Sequence, residues 1–176
     1  MSPLHVHVSK DTYRDFLAKV YGFEAPVEVS LASTPGIASA IDLKPLSHLD
    51  LLRADLASLG VHNVAELPHG RMAPRFGSLG EALGWIYVIE HNALLHGQVR
   101  RHVRKHLAPL ADSYLAAGER FGSTRLQQLG GLLDRVAREP DVGRVVVEAV
   151  KAGFRSQRQW FARAVPPGNI QPIRVA

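Results

Sequence analysis

Apolar residues in this chain recur at steps of three and four, the period of helices that turn one face inward. The pattern is clearest from Glu81 to Leu107, EALGWIYVIEHNALLHGQVRRHVRKHL, where one stripe runs Trp85, Ile89, Asn92, His96, Val99, Val103 and Leu107. The spacing predicts a single long helix. Two members of the stripe, Asn92 and His96, are polar, and a buried amide or imidazole costs free energy unless it finds a partner. This helix is therefore expected either to hold a polar contact in the core or to line a ligand pocket. Gly97, next to His96, leaves room for a close approach to the backbone.

The same reading places the other elements. Residues 4–8, LHVHV, alternate apolar and polar and predict a short extended arm. Ser9 caps a first helix with Asp11 in its first turn and Phe16, Leu17 and Val20 inward; it should end at Gly22. Pro26 opens a second short helix that stops before Pro35-Gly36. Lys44 to Leu59 reads as an amphipathic helix ended by Gly60, and His62 to Gly77 as loop. Ser78 and Glu81 form a capping box for the long helix, which Pro109 breaks. A short helix to Ala117 ending at Gly118, another over 122–138 with a weak point at Gly130-Gly131, and a last one over Asp141–Ala164 complete the pattern. Strand signals are poor beyond the arm. The expected class is all-α, one multi-helix domain over 1–176 with an extended arm at 1–8 and an irregular tail at 166–176.

Composition adds exclusions. Of 176 residues 46% are apolar, enough for a core, and no cysteine is present, which rules out disulfides, thiolate metal ligands and cysteine nucleophiles. The first residues carry no apolar signal core and no apolar run is long enough to cross a membrane, so the expected address is cytoplasmic, with no membrane partner. Net charge is +5, from 21 Lys and Arg against 16 Asp and Glu. Arginine suits an anionic ligand. The sequence has no zinc-finger spacing, phosphate loop or aromatic-rich basic strand, so nucleic acid is not an expected partner.

The histidines carry most of the candidate chemistry. His96 reads as a haem or metal contact, or as a buried imidazole hydrogen-bonded to Asn92 or a neighbouring helix. His91 lies a quarter-turn off the inner stripe, at a pocket border or the surface. His102 and His106, four apart, have a spacing that can hold a metal. Arg100, Arg101, Arg104 and Lys105 around them favour an anion site, an acidic partner or a solvated basic face instead. His5 and His7 would point the same way from an extended chain and could bind metal with a third ligand, or simply belong to the arm.

The segments LGWIYVIE (83–90) and LHGQV (95–99) resemble the distal-helix motif of bacterial haem oxygenases, approximately LG-x-x-YV-x-EGS-x-LGGQV. YRDFLAKVYGFEAPVE (13–28), LLRADLASLG (51–60) and VVVEAVKAGFRSQRQWF (145–161) are similar, in order, to further helices of that family, nearest the phytochrome-associated type. The resemblance implies a helical fold holding haem or a related tetrapyrrole, and oxidative ring opening to biliverdin, carbon monoxide and iron with electrons from an outside donor. It implies a pocket at Tyr87, Glu90, His91, Asn92, His96 and Gly97, with Glu90 tying helices together. It also implies propionate contacts from residues such as Tyr114, Arg155 and Arg158.

The chain departs from that pattern at the site. The family's iron-ligating histidine lies on a helix before the segment matching Tyr13 onward, and here MSPLHVHVSKD stands in that place. Glu-Gly-Ser becomes Glu90-His91-Asn92, the glycine pair becomes His96-Gly97, and one extra residue separates Glu90 from Gln98, which a π-bulge would absorb. His96, His91 or the arm would have to ligate iron. The alternative is a catalytically inactive module of the same fold that works through a protein interface, with a partner protein, a second copy or the tail residues Ile170, Ile173 and Val175 covering an apolar groove. A two-iron oxidase of related fold would need several inward carboxylates, and the inner faces show too few.

Overall fold

The computed structural model describes residues 8–70, 75–107 and 109–163, and every regular element in them is helical. The order is α1 (Lys10–Ala32), α2 (Ile37–Ala40), α3 (Leu49–Ser58), α4 (Leu79–Ala93), α5 (His96–Leu107), α6 (Ser113–Val136) and α7 (Pro140–Phe161), with 3-10 turns at Lys44–Leu46 and Val64–Glu66. The all-α expectation holds. The tail and the arm up to His7 lie outside the described residues. Among the described residues, no helix is long and apolar enough to cross a membrane.

α1 begins as the pattern requires: Ser9 Oγ accepts the Thr12 N–H at 3.1 Å while Thr12 Oγ1 accepts the Ser9 N–H at 2.8 Å. It does not stop at Gly22 or restart at Pro26; it is one helix through both. Pro26 has no N–H to offer the carbonyl four residues back, which belongs to Gly22. That carbonyl instead accepts the Gly70 N–H at 2.9 Å. Gly22 itself is needed for a close approach, since a Cβ there would lie 2.3 Å from the Pro68 carbonyl oxygen and 2.7 Å from Trp160 Cζ2. The pair that looked like a helix break is thus a docking point for the loop before α4 and for α7.

The predicted helix over Lys44–Leu59 is shorter, starting at Leu49. Glu28 of α1 sets that start by accepting the Ser47 hydroxyl at 2.7 Å and the His48 N–H at 3.0 Å. Gly60, at φ 87°, ends it as expected. Val61 N–H to Leu56 O and Gly60 N–H to Ala57 O complete a Schellman motif.

The long helix predicted over Glu81–Leu107 is two helices. Ser78 caps α4, but the Glu81 carboxylate accepts the Gly77 N–H rather than that of Ser78. The chain then turns at Leu94 and Leu95, both exposed, through Leu94 N–H to His91 O and Leu95 N–H to Asn92 O. These bonds reach three residues back, so the chain passes through a tightened turn here, not a π-bulge. The stripe survives the turn: Trp85, Ile89, His96 and Val103 are buried, and Asn92, Val99 and Leu107 half-buried.

α6 merges the two helices expected on either side of Gly118, and runs unbroken through Gly130-Gly131. Its first turn is capped from outside: Asp55 of α3, 1% exposed, accepts the Ser113 and Tyr114 N–H groups at 3.0 and 2.9 Å. One core cluster joins the first half of α1 to α3, Val103 and the start of α6; a second joins the rest of α1 to α4, α6 and α7.

Candidate functional site

Six polar side chains are buried together where α1, α4, α5 and α6 meet. Each sits at an inward position of its element, so the packing of the apolar stripes carries it inside. Glu24 comes from α1, His48 from the residue before α3, Glu90 from α4, His96 from α5, and Tyr114 and Arg125 from α6; none is more than 8% exposed. The Tyr114 hydroxyl donates to Glu24 Oε1 at 2.7 Å, and Arg125 Nε donates to Glu90 Oε2 at 2.7 Å. His48 Nε2 lies 3.9 Å from Glu90 Oε1. The His96 ring stands 4.6 Å from that of Tyr114, and the His48 ring meets the same tyrosine edge-on at 6.1 Å.

Burial sets the protonation of this cluster. It pushes the Glu24 carboxyl up to about 8, against the Tyr114 hydrogen bond; the Glu28 and Glu90 carboxylates push the same way and Arg125 opposes them. Burial, with Arg125 and His96 adding to it, pushes His48 down to about 3. Burial and then Arg125 push His96 down to about 4. Glu90 is raised by burial and held back by its bond to Arg125. Near neutral pH both imidazoles are therefore uncharged, Glu24 is largely protonated, and the remaining charges are the Glu90–Arg125 pair.

His96 is packed between helices: a Cβ on Gly118 of α6 would lie 1.9 Å from its Nδ1. It is not bonded to Asn92; its ring lies against Tyr114. The Tyr114 hydroxyl is buried and bonded to Glu24. Two carboxylates and two histidines do meet inside, more than the sequence suggested, yet no three His, Asp or Glu side chains among the described residues stand at metal-ligand spacing.

The other expected site residues lie elsewhere. Tyr87 and His91 are on the α4 face that meets α7, with rings 5.7 Å apart, and His91 meets Phe154 edge-on at 5.5 Å. Beyond Phe154 runs an open groove of about 640 Å³ beside α7, with Val150, Phe154 and Phe161 as its apolar wall and Lys151, Arg155 and Arg158 on its rim. Among the described residues neither arginine is ion-paired. Asn92 is half-buried in the turn and Gly97 faces Glu119, away from this groove.

The basic cluster of α5 is largely satisfied by the chain itself. Arg100 bonds Asp112 at 2.8 Å and Glu119 at 2.7 Å, Arg101 reaches Glu119 at 3.3 Å, and Arg104 bonds Asp112. The carboxylates that meet these arginines come from α6 and the residue before it. His102 and His106 meet edge-on beside the basic cluster, with ring centroids 5.1 Å apart. His5 and His7 lie outside the described residues.

Sequence reasoning missed Glu24, His48 and Arg125. Arg125 was detectable: it occupies a stripe position of α6 between Leu115, Gly118, Gly122 and Leu129, Leu132, where a charge demands a partner. Glu90 holds the matching position on α4.

No protein-family model, curated protein or solved structure matches this chain.

The groove beside α7 offers aromatic and aliphatic surface with exposed cations, all supplied by α7 itself.

Proposed function

We propose that this chain is a haem-oxygenase-like module that binds haem or a related tetrapyrrole on the outer face of α7. The motifs over 83–99 support the family, and the basic-rimmed groove beside α7 carries the reading. In this account Phe154 and Phe161 would lie against the ring, Arg155, Arg158 and Lys151 would hold the propionates, and His91, packed against Phe154 at the α4 side and not itself lining the groove, would be the candidate iron ligand. Haem, when bound, would supply iron-centred redox chemistry. The protein residues supply binding and orientation. The proposal stops at binding: the small residues that leave room for oxygen in the family motif are replaced by His91-Asn92 and His96. Ring opening would in addition need an outside electron donor.

Titration with haemin tests this. The expected result is a saturable Soret band at one haemin per chain, with affinity reduced at least tenfold in Arg155→Glu/Arg158→Glu. Absent binding, or affinity unchanged by the double charge reversal, would overturn the reading and leave the groove as a protein interface.

A further inference from the structure

A second cleft lies on the opposite flank of α7, between α7, α1 and α4. Its apolar walls are Phe23, Trp85 and Trp160, and its polar positions are Ser156, Gln159 and Arg163, spaced along one side of α7 and its end. Phe23 and Trp85 stack at 6.0 Å and 25°. The Trp160 ring is fixed because its indole N–H donates to the Lys19 carbonyl at 2.8 Å. The approach that brings Trp160 there depends on Gly22, and the Gly70 edge of the cleft hangs from the carbonyl that Pro26 frees. The walls are thus held by backbone constraints as well as by side-chain packing.

Size and polarity define the occupant. The cleft has a volume of about 110 Å³. An apolar cavity of about 150 Å³ takes benzene; this cleft is smaller but open at its mouth, so it has room for at most one ring, partly in the mouth, and not four. Among the described residues, the side chains of Ser156, Gln159 and Arg163 make no hydrogen bond and no ion pair. One end is therefore flat and aromatic, and the other presents a guanidinium, an amide and a hydroxyl, a set that suits a carboxylate.

We propose that this cleft binds a small single-ring aromatic carboxylate, the ring between Phe23, Trp85 and Trp160 and the carboxylate on Arg163. The inference is independent of tetrapyrrole binding, because the two sites use different faces of α7. Trp85 and Trp160 are the chain's two tryptophans, so indole fluorescence reports this cleft directly.

Benzoate is the probe, with benzamide as its uncharged counterpart and cyclohexanecarboxylate as its non-aromatic one. The expected result is a saturable change in tryptophan emission with benzoate, at least fivefold weaker binding of either counterpart, and at least tenfold weaker benzoate binding in Arg163→Glu. Arg163 is exposed, so that variant should fold. As a second variant, Ser156→Phe should block the cleft while leaving haemin binding as it is. No saturable change, equal binding of benzamide, or benzoate affinity unchanged in both variants would overturn the proposal.

Discussion

Arg125→Met isolates the charge at the centre of the interior cluster. Its guanidinium is the cation bonded to Glu90, and Glu90 is 0% exposed with a single 2.7 Å bond to it. Methionine keeps much of the volume and removes the charge. What remains is a buried carboxylate with no counter-ion, and breaking a buried pair in this way costs about 3–5 kcal/mol. Domains of this kind have roughly 5–15 kcal/mol in total, so the variant should stand near the edge of folding at pH 7. Mild acid should relieve it. Glu90 is already raised by burial and would protonate, and His48, 3.9 Å away, would lose the repulsion of Arg125. The double variant Glu90→Gln/Arg125→Met removes both charges and should be less destabilised than the sum of the single changes, with a coupling of about 1–3 kcal/mol. Urea unfolding followed by circular dichroism at pH 7 and pH 5 measures all of this. A loss under about 1 kcal/mol in Arg125→Met, or strictly additive single changes, would refute the reasoning.

Stability should peak near pH 6.5. Between about 4.5 and 6.5 the unfolded state binds protons at His48 and His96 that the native state refuses, while the native state keeps one at Glu24, so stability rises with pH. From about 6.5 to 8 the Glu24 difference opposes folding as pH rises and stability falls; Glu24→Gln should reduce that fall, which thermal unfolding across pH would show. Gly118→Ala should cost about 1–3 kcal/mol by forcing His96 out of its seat, and His96→Ala in the same chain should recover part of it, measured by urea unfolding. Asp55→Ala should cost about 1–2 kcal/mol by uncapping α6, with faster amide exchange in its first turn as the direct readout.

The helical class and most inward positions were legible in the sequence because burial imposes its period on the chain. Boundaries were less so, for reasons visible at particular residues. Gly22, Pro26 and Gly118 read as helix breakers, but each sits where another element comes close, a fact that the local sequence does not carry. The start of α3 depends on Glu28, about twenty residues earlier. Asn92 and His96 marked a polar feature in the core of the long helix. The turn at Leu94–Leu95 keeps His96 inside and leaves Asn92 half-buried, so they do not act as a pair. The partners of His96 come from α6, and Glu24 and His48 join it only through the tertiary fold.

The proposal that a pigment binds on the outer face of α7 beside His91, not at the buried histidine, is tested most directly by the Soret position of the haemin complex in His91→Ala and His96→Ala. The account predicts that His91→Ala shifts the band and weakens binding, while His96→Ala leaves the band where it is. A band shifted by His96→Ala and unmoved by His91→Ala would contradict it.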